Sequence, residues 1–277
     1  MKAREMYDFS NKTIIITGAS GGIGTALSRE LDRRGAKLVL ADINFNGLES
    51  SASGLTSNPL IIKCDITDRA DVKTLVESAV NRFLKIDILI NNAGIIRPAL
   101  FENCSYENID DQMKVNFIGA VNCTKEVLAV MIPAKRGHIV TISSLAGLVP
   151  ETYSSIYTAS KFALRGFFLT LGIELRKHNI KVSTIFPDSV DTPMLKYEAS
   201  HGGSPLTFLG DPQSPGKSPE KIVKAVIRAI EKGSPEICSP ASTGTFSRII
   251  MCWPWLVTKL WPLLERLGEK NKKTYIN

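Results

Sequence analysis

The sequence predicts an α/β protein: one doubly wound domain on a parallel sheet of about seven strands, with helices on both faces. Two observations predict it. Short apolar, β-branched runs alternate along the chain with stretches of helical length and apolar spacing. A glycine-rich turn, "GASGGIG" at 18–24, joins the first such run to the first helical stretch. Strand–helix alternation implies right-handed crossovers, which lay helices over both faces of a parallel sheet. With 277 residues the chain can bury a full core.

In order, the strands are "KTIIIT" (12–17), "KLVLAD" (37–42), "PLIIKC" (59–64), "IDILIN" (86–91), "GHIVTIS" (137–143) and "KVSTIF" (181–186), with "PEIC" (235–238) a weaker seventh. Residues 69–84, 105–131 and 155–177 have helical length and pattern. The clearest helix is "SPEKIVKAVIRAIEKG", with Ser218 as N-cap, Pro219 at the first helical position and Gly233 as stop. Residues 193–217 break the rhythm with four prolines and four glycines, and read as a long irregular lid or binding loop. The catalytic domain is expected over 1–245, followed by an extension over 246–277.

Composition excludes several classes. Hydrophobic residues make up 44% and charged residues 22%, the balance of a globular protein. The five cysteines are scattered without a CxxC pair, which argues against a disulfide framework or zinc site and suits a reducing, cytoplasmic setting. Three isolated histidines leave no expected metal centre. The N-terminus, "MKAREMYDFSNK", has no apolar h-region of a signal peptide.

The glycines at 18, 22 and 24 stand where the chain leaves a strand and enters a helix. Without Cβ atoms the backbone can turn sharply and approach a pyrophosphate, whose charge the helix N-terminus favours. Asp42 ends the second strand, 18 residues after Gly24. A carboxylate there can accept hydrogen bonds from the adenosine ribose hydroxyls and would repel a 2′-phosphate, so NAD is favoured. Ile43 supplies no cation, whereas Arg33 and Arg34 keep NADP open. Farther on, Tyr157 stands four residues before Lys161, about one helical turn.

Taken together, "TGASGGIG" (17–24), "CDIT" (64–67), "NNAG" (91–94), Asn116 in "KVNFIGA", "ISSLAG" (142–147) and "YTASK" (157–161) resemble the short-chain dehydrogenase/reductase superfamily over residues 10–240. The resemblance implies a Rossmann-like fold. It also implies a catalytic set of Ser144, Tyr157 and Lys161, with Asn116 completing a proton relay. A free phenol titrates near pH 10, and a neighbouring ammonium and the positive nicotinamide would lower that value. The implied cofactor contacts are Gly18, Ser20, Gly22, Ile23, Gly24, Asp42, Asp65, Ile66, Asn92, Ala93, Gly94, Tyr157, Lys161, Pro187, Val190 and Thr192, with Asn91 also expected beside the cofactor. Asp188 stands where the family usually has glycine, which suggests an altered backbone and a carboxylate near the pocket mouth.

The segments expected to face substrate are apolar, among them Ile95, Ile96, Leu100, Phe101, Leu145, Leu148, Val149, Tyr153, Met194, Leu195, Tyr197, Leu206 and Phe208. They imply a lipid, sterol-like or long-chain secondary alcohol or its ketone. The alternatives are an NADPH-dependent reductase of keto-lipids or 3-oxoacyl groups, and a non-catalytic dinucleotide sensor. The tail "FSRIIMCWPWLVTKLWPLLERLGEKNKK" carries all three tryptophans and several bases, with Pro254 and Pro262 expected to break its regularity. It suits either peripheral contact with a membrane through 246–264 or packing over the active site. Long apolar helices at 105–131 and 155–177 imply a homodimer or homotetramer. No nucleic-acid reader is expected.

Overall fold

The computed structural model describes residues 7–210 and 216–276. Its centre is a seven-stranded, wholly parallel sheet in the order β3-β2-β1-β4-β5-β6-β7. The strands are β1 (Thr13–Thr17), β2 (Lys37–Asp42), β3 (Leu60–Lys63), β4 (Ile88–Asn91), β5 (Gly137–Ile142), β6 (Ile180–Pro187) and β7 (Glu236–Ser239). All seven expected strands form, each within two residues of the sequence boundaries.

Strand alternation sorts the core into two halves. Ile14 and Ile16 of β1 face one layer and Ile15 faces the other. The first layer is α1 (Gly22–Arg33), α2 (Phe45–Ala52) and α8 (Pro219–Lys232), through Leu27, Leu31, Leu48, Ile222, Val226 and Ile230. The second is α3 (Arg69–Phe83), α5 (Ala120–Ala134) and α6 (Ser155–Glu174), through Val72, Leu75, Cys123, Val127, Leu164 and Phe168. Strand order reverses between β1 and β4, which opens a crevice at the carboxyl ends of those strands.

Three segments differ from expectation. The helical stretch at 105–131 is three pieces: α4 (Tyr106–Met113), a π turn over Lys114–Gly119 and α5. Ile66 lies under Gly119, where a Cβ would collide with its side chain, and wide turns of this kind recur at functional sites. The stretch 193–217 is not one irregular loop. Pro193 starts α7 (Pro193–Ser200), and a short 3-10 turn spans Pro205–Phe208, while 211–215 lie outside the described residues. The tail is helical, as α9 (Ala241–Ile250) and α10 (Pro254–Ile276), and α10 continues through Pro262. Pro254 is tolerated because the first helical position needs no N–H partner. The N-cap Ser218 holds its position without a side-chain hydrogen bond, and Gly233 ends α8 in the left-handed region at φ 63°.

Candidate active site

The glycine turn and β2 build one end of the crevice. Gly18 adopts φ 64°, and a Cβ on it would stand 2.7 Å from Ala93 Cα. A Cβ on Gly22 would meet Thr192 Cγ2 at 2.7 Å, so glycine lets this turn and the segment after β6 close together. Gly24 plays a packing part under the same turn, against the Gly18 carbonyl and Ala19. Gly21 precedes α1 without a side-chain cap, and the first turn of a helix has no internal partners for its N–H groups. Gly21, Gly22 and Ile23 line a cleft of about 530 Å³ with Gly18, Ser20, Asp42, Asp65, Ile66, Asn92, Ala93 and Gly94. An uncapped helix start lined by glycine fits a pyrophosphate.

Asp42 Oδ2 accepts hydrogen bonds from the Ser20 N–H (2.9 Å) and hydroxyl (2.7 Å), while Oδ1 accepts one from Asn44 N–H (3.0 Å). Each carboxylate oxygen has about two acceptor sites, so Oδ1 retains one for a ribose hydroxyl. Arg33 and Arg34 do not line the cleft. Both bind Glu30, at 2.9 and 2.7 Å, and Arg34 also faces Glu231. Asp65 accepts from the Thr67 N–H and hydroxyl at the cleft wall. Asn92 donates through Nδ2 to the Thr17 and Gly18 carbonyls, tying β4 to the glycine turn. Its neighbour Asn91 lies outside the cleft and donates to Thr124 Oγ1, because alternate residues of β4 point to opposite faces.

At the other end, Ser144, Tyr157 and Lys161 share a second cavity of about 140 Å³. The two cavities have Ile23, Asn92, Gly94, Thr192 and Met194 in common. Tyr157 and Lys161 stand on consecutive turns of α6, and Lys161 Nζ lies 5.3 Å from the phenol ring centroid. Lys161 Nζ donates to the Ile142 carbonyl at 3.2 Å. Ser144 Oγ accepts from Ala146 N–H, and Ser143 instead donates to the Lys161 carbonyl from a buried position. Asn116, on the π turn, lines neither cavity. It accepts from Ile95 N–H and donates to the Ile95 carbonyl and Ser160 Oγ. It braces the strand end behind Gly94, where a Cβ would stand 3.2 Å from Asn116 Oδ1 and 3.5 Å from Lys161 Nζ.

Electrostatics in the protein alone depart from the expected phenol–ammonium pair. Burial, with Glu151 adding to it, pushes the Tyr157 phenol above its usual value, and the Ser144 hydroxyl offsets this only in part. Burial lowers Lys161 to about 8. Both groups are therefore held toward their neutral forms.

The second cavity is also less apolar than expected. Ile96, Leu145, Met194, Leu195 and Leu206 do line it, beside Pro187, Val190 and Thr192, but so do Glu151, Asp188 and Glu198. Burial, then the neighbouring carboxylates Glu198 and Asp188, raise Glu151 to about 8. Burial raises Glu198 to about 7 against the pull of Thr207, whose hydroxyl donates at 2.7 Å. Asp188 takes no left-handed backbone, since its N–H donates to Ser239 and β6 runs straight into it. Glu198 was detectable in principle, standing one turn after Met194 on the same helix face. Other expected pocket residues lie elsewhere. Leu100, Phe101, Tyr153 and Tyr197 are exposed, Ile95 lines the larger cleft, and Leu148, Val149 and Phe208 pack in small clusters.

The tail braces this end of the molecule. Trp261 Nε1 donates to the Pro150 carbonyl (2.8 Å), Thr152 donates to Glu265 (2.6 Å), and Lys272 Nζ donates to the Gly203 carbonyl (2.7 Å). Gly268 lies against Pro205, where no Cβ would fit. Glu236 ties β7 to α6 and α9 through Arg165 (2.8 Å) and Arg248 (3.0 Å).

Comparison with known proteins agrees with this architecture. The family model described as short chain dehydrogenase matches residues 12–202. Mouse dehydrogenase/reductase SDR family member 7B is 31% identical over 234 residues, 82% of this chain and 72% of that protein. Momilactone A synthase of Oryza sativa subsp. japonica is 37% identical over 188 residues, 67% of this chain and 69% of that one. The crystal structure of levodione reductase superposes with TM-score 0.74 at 26% identity, over 80% of this chain and 90% of that one. The chain belongs to the short-chain dehydrogenase/reductase family. It is an oxidoreductase acting on CH–OH groups with NAD or NADP.

Proposed function

We propose that this enzyme uses NAD to interconvert a secondary alcohol and its ketone, on a substrate with an apolar body and a second hydroxyl. The observation that carries the substrate class is the small cavity that Ser144, Tyr157 and Lys161 share with eight Ile, Leu, Val and Met side chains and three carboxyl groups. Aliphatic walls favour an apolar body. A carboxyl group can hydrogen-bond a substrate hydroxyl whether it is ionised or held protonated, as burial favours for Glu151 and Glu198.

Ser144 holds the substrate oxygen by a hydrogen bond, and Tyr157 gives or takes the proton at that oxygen. The protonated phenol favoured by burial is the form that donates to a carbonyl, so the chain's own environment suits reduction. Lys161, on the next turn, supports the phenolate when it forms. The nicotinamide, when bound, supplies or accepts the hydride. Gly18, Ser20, Gly22 and Ile23 would hold its pyrophosphate end, Asp42 the adenosine ribose, Asp65 and Ile66 the adenine side, and Val190 and Thr192 the nicotinamide end. Asn116 acts as a brace for Gly94 and Ile95, and a relay through it would use its backbone.

NAD preference rests on Asp42, with Arg33 and Arg34 committed to Glu30. Exposed Tyr106, Ile118, Leu169 and Ile173 on α4 to α6 support a homo-oligomer. In domain terms, we place the catalytic body over 1–245 and the extension over 246–277, a boundary that falls within α9.

The test is NADH oxidation against ketones graded in apolar size, each with and without a second hydroxyl. The proposal expects kcat/KM to rise with apolar size and again with the hydroxyl, the second gain vanishing in Glu198→Gln. Equal rates across the panel would refute the substrate class.

A further inference from the structure

We propose that the outer face of α9 and α10 docks on an anionic phospholipid bilayer. The inner face of α10 is a regular stripe: Val257, Trp261, Gly268 and Lys272 are buried against the body of the enzyme. A second stripe beside it, Leu260, Leu263 and Leu267, is exposed. The spacing of four and three is that of one helix face. On α9 the buried row is Gly244, Ser247 and Ile250, while Phe246 and Ile249 are 54% and 55% exposed. Trp253 and Trp255, at the joint between the helices, are 51% and 57% exposed. A contiguous run of large apolar side chains left bare on two consecutive helices marks an interaction surface.

Charge selects the occupant. Lys259 precedes Leu263 by one turn, Arg266 follows it by three residues, and Lys270 follows Leu267 by three, so each base borders the leucine stripe. All three are exposed, and Lys259 Nζ lies 5.3 Å from the Trp255 ring centroid. Glu265 is engaged by Thr152, and Glu269 projects about 200° round the helix from Leu267, at about 100° per residue. The face therefore offers tryptophan, leucine and an excess of bases over acids, with Glu269 alone beside Arg266, the composition of a helix lying in a bilayer interface. A second copy fits poorly. A twofold contact would set Lys259, Arg266 and Lys270 against their copies, with exposed Glu269, three residues after Arg266, as the one acid bordering them.

All three tryptophans lie in this tail, so selectively excited tryptophan emission reports on it alone. In Trp261→Phe only the two exposed tryptophans remain. The full-length protein is mixed with phosphatidylcholine vesicles, with and without about one-quarter phosphatidylserine, and followed by co-sedimentation and emission wavelength. The expected result is pelleting and a blue shift with the anionic vesicles only. Lys259→Gln and Lys270→Gln should each weaken partition about fivefold. The double variant Leu263→Ser, Leu267→Ser should abolish it, with a circular dichroism melt unchanged. Three results would overturn the proposal. These are no pelleting with either vesicle, pelleting that survives loss of both leucines, and a dimer in light scattering that the leucine variant dissociates while vesicles leave the tryptophans unshifted.

Discussion

In the proposed function, Asp42 sets the cofactor preference and Tyr157 moves the proton. Asp42 keeps one acceptor site open on Oδ1 after bonding Ser20 and Asn44. Asp42→Ala removes both the ribose acceptor and the charge that repels a 2′-phosphate. The ratio of kcat/KM for NAD over NADP is expected to fall at least about tenfold, a change of about 1.4 kcal/mol. An unchanged ratio would remove Asp42 as the determinant. At Gly22 the constraint is steric, since Thr192 Cγ2 occupies the place of a Cβ at 2.7 Å. Gly22→Val should cost about 1–3 kcal/mol in chemical denaturation and weaken cofactor binding as well. A variant with full stability and affinity would mean that the turn and the segment after β6 do not pack as described.

At the level of elements, what was legible in the sequence depended on how local the signal is. The strands were readable because each is a short apolar run bounded by polar residues, and the glycine turn because its residues are contiguous. The motif residues Ser144, Tyr157 and Lys161 could be placed together by resemblance. Glu151, Asp188 and Glu198 share the same cavity but come from the two connections after β5 and β6; Asp188 was expected near the pocket mouth, while no spacing in the chain relates it to Glu151. The tail departs from the irregular chain that its prolines predict, because Pro254 occupies a first helical position, which needs no N–H partner, and tertiary packing around Trp261 holds the rest. Trp261, in a cluster with Ile250 and Val257, anchors that packing. Trp261→Ala should cost about 3–5 kcal/mol, and proteolysis should then cut in α10 before the body of the enzyme. Protection equal to the wild type would contradict a tail held by that side chain.

Across the whole molecule, buried carboxylates give stability an unusual pH dependence. Glu198 and Glu151 are raised to about 7 and about 8, so the folded state binds protons that the unfolded chain, titrating near 4.3, has already released. Their contribution is therefore full below about 4.3 and is lost as pH rises through 7 to 8. His138, lowered to about 3 by burial, acts in the opposite sense only below its unfolded value of about 6.5. Lys161, lowered to about 8 against about 10.4 unfolded, opposes them as pH nears 8, so between about pH 6.5 and 7.5 the carboxylates dominate and the urea midpoint should fall as pH rises. Glu198→Gln should flatten that fall. A midpoint that rises over this window in the wild type would contradict the buried acid cluster.

The central claim is that Tyr157 transfers the proton in an NAD-dependent alcohol–ketone interconversion. The most direct measurement compares single-turnover NADH oxidation by the wild type and Tyr157→Phe on one ketone substrate, beside cofactor affinity from NADH fluorescence. The account predicts that affinity stays within a few-fold while the chemical step slows about 10²–10⁴-fold, the usual weight of a positioned general acid. A chemical step left intact in Tyr157→Phe would contradict it.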